Sequence, residues 1–445
     1  MTLLHLFILF TTALGPVQVA LTLLLILFGS AYAILIFCFF VGWVRLPLHK
    51  GEDNPLSSNL HMHGVIPFVS VVVAARNETS RIMPLLEALS AQDHPRDKFE
   101  VLVVDDHSED GTADVVNQWI EKASLARETS PTMDLKLLSA AALNATSAHD
   151  TTSIRGIATT IDNTTANGST IAHATTGGKK HALTLGIHQA SGEIILTTDA
   201  DCLPAPGWIS GMSRPFSDPA VKMVLGPVRL RGTGIFGQLQ ELEFLSLMGI
   251  TGGAAGLGQA VMGNGASLGF RRQAWLEAGG YASHAKFSSG DDVFLLHAVK
   301  KQQPHATSPE GAANPTVQFQ NNRGAIVETE AVRGLWDFFR QRGRWAGKAG
   351  GYKDPFTLLT GGVVAGFNLL LVVYLVFLLV FPGMSTSWIL AAIALKALVD
   401  FLLLAATARF FNMSVRLAWF PLLFPLYPFY VLTSIIVGWA RKNKW

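Results

Sequence analysis

The sequence predicts an α/β fold, a doubly wound sheet in the middle of the chain with transmembrane helices at its N- and C-terminal ends. Three observations carry this. Hydrophobic residues make up 49% of the 445 and charged residues 15%, more apolar than an ordinary soluble protein, and the excess is concentrated at the two ends. Between them, short apolar runs alternate with segments of helical periodicity. Two acidic clusters, Asp105-Asp106 and Asp199-Ala200-Asp201, fall where such runs stop, and doubly wound sheets bind ligands at the carboxyl ends of their strands.

At the N-terminus, residues 17–44 carry no charge, and about 20 apolar residues suffice to span a bilayer. A signal peptide is excluded by the length of the run and by the lack of a basic start. Arg45 and Lys50 follow the span and place the middle of the protein in the cytosol. Residues 3–14 are apolar but short, and read as a separate interfacial segment. At the other end, 356–381 and 388–406 are spans. The second contains Lys396 and Asp400, four apart, which would pair with each other on one helical face or mark a functional site. The stretch 417–439 holds Pro421, Pro425 and Pro428, a density that favours a broken or re-entrant element. With the basic tail in the cytosol, three full spans plus such a last element are expected. The division is then an N-terminal membrane segment (1–50), a cytosolic domain (51–350) and a C-terminal transmembrane region (351–445), in a plasma (inner) membrane protein of several passes.

In the middle, 68–74 and 100–104 are nearly continuous apolar strands of the kind buried on both faces of a parallel sheet. Residues 135–138 and 193–197 are two more strands. Helices are expected at 81–89, at 112–123 with Ser108 as N-cap, and at 180–190. Residues 140–176, rich in Ser, Thr, Ala and Asn, read as a flexible insertion. Its three sequons are compositional accidents of that stretch. Residues 235–262 read either as an interfacial helix pair that steers a lipid or as a helix packed on the sheet. The net charge of +2 carries no nucleic-acid signal. Cys38 and Cys202 suggest neither a disulfide framework nor a zinc site. His181 and His188 share a helical face and are read as structural.

Asp-x-Asp arises by chance roughly once in a chain of this size, so the triplet means little alone. Its place after a buried strand gives it weight: Asp199 and Asp201 can share a hard cation, Mg2+ or Mn2+, which takes carboxylate and phosphate oxygens. Gly290-Asp291-Asp292 is a helix start with acidic first-turn residues, or a general base that takes the proton of an attacking hydroxyl. Gln341-Arg342-Gly343-Arg344-Trp345 contains Gln-x-x-Arg-Trp, expected by chance in roughly one chain in a hundred. It ends an amphipathic stretch, 331–345, suited to a membrane face. Arg344 could bind a diphosphate, and Trp345 offers a flat indole.

The ordered set VSVVVAARNE, VLVVDDHSEDGT, GKKHALTLGI, TTDADC, GNGASLGFRR, SGDDVF and QRGRW resembles the membrane-bound branch of family 2 glycosyltransferases. That branch includes cellulose, hyaluronan and poly-N-acetylglucosamine synthases and ceramide glucosyltransferase. The likeness covers residues 66–347. It implies a GT-A fold with a mixed sheet, an inverting mechanism, and a nucleotide-diphosphate sugar donor, UDP-linked foremost. It implies that Ala75, Arg76, Glu78 and Asp106 line the uridine pocket with Asp105 beside them, and that Lys179 or Lys180 and Asp199 lie by the nucleotide. Asp201 would ligate the metal, with Asp199 next to it. Asp292 would be the base, with Asp291 at the usual Glu of a Glu-Asp pair. Gln341, Arg344 and Trp345 would hold the diphosphate and acceptor, and 263–272 would lie along the acceptor path. The expected reaction is transfer of a sugar to the hydroxyl of a membrane-associated lipid or glycan. A processive polysaccharide synthase is the alternative within the family, and an inactive nucleotide-sugar-binding scaffold the alternative outside enzymes.

Overall fold

The computed structural model describes residues 3–47, 66–126, 133–140, 177–281, 290–302, 316–381 and 386–441. The insertion expected at 140–176, with its sequons, lies outside the described residues from 141 onward, as does most of the basic tail. The elements in chain order are α1 (Leu3–Arg45), β1 (Val69–Ala75), α2 (Ile82–Ser90), β2 (Phe99–Asp105), α3 (Thr112–Ala126), β3 (Asp134–Ser139), α4 (Lys179–Gln189), β4 (Ile194–Asp199), β5 (Leu203–Pro204), α5 (Trp208–Ser213), β6 (Met223–Leu225) and β7 (Val228–Arg231). They continue with α6 (Gly234–Gly256), β8 (Leu268–Arg271), α7 (Arg272–Glu277), α8 (Asp291–Lys301), β9 (Val317–Phe319), β10 (Val327–Glu330), α9 (Leu335–Gly347), α10 (Pro355–Val380), α11 (Ser387–Phe410) and α12 (Phe420–Arg441).

These elements form two units. The sheet unit comprises Leu48–Val228 and Gly263–Glu330; the helical unit comprises Met1–Pro47, Arg229–Met262 and Ala331–Trp445. The division departs from the linear boundaries at 50 and 350, because 229–262 and 331–350 pack with the helices.

The sheet unit is built on seven strands in the order β3-β2-β1-β4-β8-β6-β9. β1, β2, β3 and β4 run parallel, β8 runs antiparallel to both β4 and β6, and β9 is parallel to β6. The sheet is therefore mixed. Val69, Val71, Val72 and Val73 of β1 are fully buried, as are Val101 to Val104 of β2. Burial is worth about 1.5–3 kcal/mol for each such side chain, which is why these β-branched runs become central strands. In register, Ala75 stands beside Asp105 and Ala74 beside Asp199, so both acidic clusters do reach one edge of the sheet. The cap of α3 is corrected: Asp110 Oδ1, not Ser108, accepts from the Thr112 N–H at 3.0 Å, and Ser108 Oγ instead accepts from the Asn77 N–H at 3.0 Å.

In the helical unit, α1, α10, α11 and the stretch Ser414–Ala440 are each long and apolar enough to cross a membrane. Residues 3–14 continue α1 without a break, across Pro16, instead of forming a separate segment. α12 is one continuous helix with Pro425 and Pro428 inside it, which corrects the broken form of the broken or re-entrant element expected there. Residues 234–256 form a single helix, not a pair, and it packs on α1 and α11. Lys396 and Asp400 do pair with each other. Tyr32 completes the set, donating to Asp400 at 2.7 Å and accepting from Lys396 at 3.1 Å.

Candidate active site

Three crossings of the chain build the candidate site at the carboxyl edge of the sheet unit. After β1 the chain turns through Arg76, Asn77 and Glu78, and after β2 through Asp106, His107 and Ser108. Asn77 and His107 hold φ of 57° and 59°, a left-handed conformation that Asn and His tolerate better than most residues. The two turns are laced together. Asn77 Oδ1 accepts from the Glu109 N–H at 2.9 Å, and the Glu78 N–H donates to Thr112 at 2.8 Å. Arg76 is exposed and Glu78 is half-buried.

Asp105 and Asp106 are buried and do different things. Asp106 accepts from the Gly178 N–H at 2.8 Å and lies 3.1 Å from His107 Nδ1. It thereby ties the start of α4 to β2. Asp105 Oδ2 accepts weakly from the Ser108 N–H at 3.4 Å, whereas its Oδ1 is buried without a partner. Buried carboxylate oxygens are normally hydrogen-bonded. An N–H donor arriving from a ligand would satisfy this one.

The two candidate lysines point to different places. Lys179 Nζ lies 2.5 Å from Asp199 Oδ1 and 3.6 Å from Asp291 Oδ2. Burial works against its charge, but Asp199 and Asp291 outweigh it and hold the ammonium pKa well above the usual value. Lys180 instead sits over the Phe294 ring at 5.3 Å. A Cβ at Gly265 would come within 3.1 Å of Lys179 Nζ and 3.2 Å of Asp291 Oδ2, so this loop runs close against both side chains.

Asp199, Asp201 and Cys202 each present one ligand atom within 4.8 Å of the others. Burial raises the Asp201 carboxyl and Asp199 adds to it, while Arg81 opposes. Burial also pushes the Cys202 thiol up, helped by both carboxylates. A protonated thiol suits a hard cation poorly; the two carboxylates suit it well. Arg81 escaped the sequence reading. It lies 2.8 Å from Glu78 and 3.4 Å from Asp201, and its only signal was its i,i+3 spacing from Glu78.

Asp291 and Asp292 open α8 behind Gly290, which holds φ of 89°. Asp292 Oδ1 accepts from the Val293 N–H at 2.8 Å and Oδ2 from the Gly265 N–H at 3.3 Å. The helix-start reading and the base reading are thus compatible. The sheet unit brings together Ala75, Asp105 and Asp106 on one side and Lys179, Asp199, Asp201, Asp291 and Asp292 on the other. Gln341, Arg344 and Trp345 lie on α9 in the helical unit.

Two family models match the chain: "Glycosyl transferase family 2" over residues 70–130 and "Glycosyltransferase like family 2" over residues 147–348, between them more than half of it. The chain is a family 2 glycosyltransferase. Its mixed, doubly wound sheet with apolar helices at both ends is the GT-A-like architecture that the motifs implied. This glycosyltransferase is 29% identical over 167 residues to "Glycosyltransferase AglE" of Haloferax volcanii, covering 38% of this chain and 41% of the relative. It is 28% identical over 309 residues to the "Beta-monoglucosyldiacylglycerol synthase" of Trichormus variabilis, covering 67% of this chain and 52% of the relative. The matches thus span about half the length of these curated relatives or less. Among solved structures, a mannosyltransferase from Pyrobaculum calidifontis in complex with GDP-Man and Mn2+ aligns with a TM-score of 0.48 at 18% identity, covering 95% of this chain and 99% of that one.

Proposed function

We propose that this protein is an inverting, divalent-metal-dependent transferase. It moves a sugar from a nucleotide diphosphate, UDP foremost, to the hydroxyl of a membrane-associated lipid or glycan. The observation that carries the reading is the convergence of Lys179, Asp199, Asp201, Asp291 and Asp292 at the carboxyl edge of the sheet. The name of the diacylglycerol-glycosylating relative supports a lipid hydroxyl as acceptor, as do the apolar helices of this chain.

Each residue then has a task. The unpaired Asp105 Oδ1 takes an N–H of the nucleobase, with Ala75, Arg76, Glu78 and Asp106 around it. Asp199 and Asp201 would hold Mg2+ or Mn2+, whose charge offsets the charge growing on the leaving diphosphate. Lys179 adds a second positive charge beside that diphosphate. Asp292 accepts the proton of the attacking hydroxyl. Its orientation is fixed by the Val293 and Gly265 N–H groups, which place charge next to a helix N-terminus. Attack from the face opposite the diphosphate inverts the anomeric centre. Gln341, Arg344 and Trp345 hold the diphosphate and acceptor.

The deciding experiment incubates the purified full-length protein and Mg2+ or Mn2+ with a panel of nucleotide sugars and extracted membrane lipids. Mass spectrometry reads the products and NMR reads the anomeric configuration. Asp292→Asn should abolish transfer and leave nucleotide binding intact. Turnover that survives EDTA would overturn the metal assignment, and a retained anomer would overturn the inverting one. Single-sugar products favour this reading over a processive synthase, and no product from any donor favours the scaffold.

A further inference from the structure

One residue inside the Gln341–Trp345 motif has no role in the scheme above. Arg342 is 3% exposed, and its guanidinium touches both flanking motif side chains. It stacks over the Trp345 ring at 4.1 Å and donates to Gln341 Oε1 at 2.9 Å. The Phe338 ring closes its other side at 4.9 Å. A second guanidinium nitrogen donates to Glu243 Oε2 of α6 at 2.5 Å, and the other oxygen of Glu243 accepts from Tyr430 of α12 at 2.7 Å. Glu243 is 2% exposed. Three elements of the helical unit therefore meet at one carboxylate and one guanidinium.

A buried ion pair of this kind is costly to desolvate and adds little net stability over an apolar pair of the same shape. What it does supply is fixed direction. The planar fork of Arg bonds two acceptors and stacks on an aromatic face at the same time, which the point charge of Lys cannot do. We infer that Arg342, clamped by Glu243 and Tyr430, is a positioning residue: it sets the Gln341 amide and the Trp345 indole in the orientation that receives the acceptor. The inference rests on the proposed role of Gln341 and Trp345 at the acceptor.

The test uses the full-length protein in detergent or nanodiscs and compares Arg342→Lys, Tyr430→Phe and Trp345→Ala. Arg342→Lys keeps the charge and loses the plane; Tyr430→Phe removes one hydroxyl and keeps the ring. The expected result for Arg342→Lys is a fall of at least tenfold in the kcat of transfer, with the KM for donor within about twofold. The fraction of donor lost to hydrolysis should rise, because water replaces a badly held acceptor. Tyr430→Phe should shift the same three readouts in the same direction and by less. Glu243→Gln, which keeps the side-chain shape and one of the two acceptor oxygens, should retain more transfer than Glu243→Ala. Wild-type partition between transfer and hydrolysis in Arg342→Lys and Tyr430→Phe would overturn the inference, as would loss of activity only in proportion to loss of folded protein. If Trp345→Ala leaves transfer unchanged, the underlying reading of the motif has failed. If Trp345→Ala abolishes transfer while Arg342→Lys does not alter it, the positioning role alone has failed.

Discussion

Glu100 and Asp105 are both buried carboxylates, on the same strand and at opposite ends of the sheet, and their surroundings differ in kind. Glu100 accepts from Ser70 and from the Ser191 N–H at 2.6 Å each, and from Lys136 at 2.6 Å. Burial raises its pKa, but the bonds to Lys136 and Ser70 outweigh that and leave it lowered. A depressed carboxylate stabilises the fold above its unfolded pKa, about 4.3, and that stability is lost as pH falls through the lower folded value. The melting temperature of wild type should therefore exceed that of Glu100→Gln at neutral pH. The gap should close as pH drops below about 4; a gap that persists there would contradict the assignment. Asp105, by contrast, has one buried oxygen without a partner. The paired lysines make the same point. Sequence offered Lys179 and Lys180 as equals, but successive helical residues point about 100° apart: Lys179 lies against Asp199 and Asp291, whereas Lys180 lies over the Phe294 ring. Lys179→Met should weaken nucleotide-diphosphate binding by tenfold or more by calorimetry, and Lys180→Met by less than about twofold; a tenfold loss corresponds to about 1.4 kcal/mol.

At the scale of elements, legibility followed burial. β1, β2, β3 and β4 were readable to within a residue or two, because a strand covered on both faces must be continuously apolar. β6, β8 and β9 have three or four residues each, too few to carry a period, so that half of the sheet was not readable. α6 was misread for a different reason. Its glycines resemble breakers, but in the fold these small residues let helix backbones approach closely. A Cβ at Gly253 would lie 2.2 Å from the Phe39 carbonyl oxygen of α1, and one at Gly42 would lie 2.1 Å from the Gly253 carbonyl oxygen. Neither position has room, and the obstacle is backbone. Gly253→Ala should therefore destabilise the protein by about 1–3 kcal/mol, seen as a lower melting temperature in detergent. Gly361→Ala in α10, where nothing lies within 4 Å, should be neutral or stabilising by up to about 1 kcal/mol, since alanine favours a helix interior over glycine. Equal effects at the two sites would refute the close crossing of α1 and α6.

For the whole molecule, the path of the chain through the helical unit bears on how many helices cross the bilayer. α10 and α11 form an out-and-back pair, so α11 ends on the side where α10 began. α12 starts at Phe420, ten residues after α11 ends at Phe410. Its other end lies beside α9, which immediately precedes α10. Tyr430 stacks near Phe338 at 5.5 Å, and Gly438 packs so tightly on α9 that a Cβ there would come 2.8 Å from the Gly343 carbonyl oxygen. Had α12 crossed, its end would stand about 30 Å away from α9, across the hydrocarbon core. Both of its ends are instead tied to one side. α12 is long enough to span but should lie along or dip into that face, with its end at Arg441 on the same side as Arg45. The expected arrangement is three crossings with the sheet unit and the C-terminus both cytosolic. In a bacterial host, a C-terminal green fluorescent protein fusion should fluoresce and a C-terminal alkaline phosphatase fusion should be inactive, with the same phosphatase active when inserted between α10 and α11. An active C-terminal phosphatase would mean that α12 crosses, and would separate the acceptor-side motif on α9 from the helix that carries Tyr430.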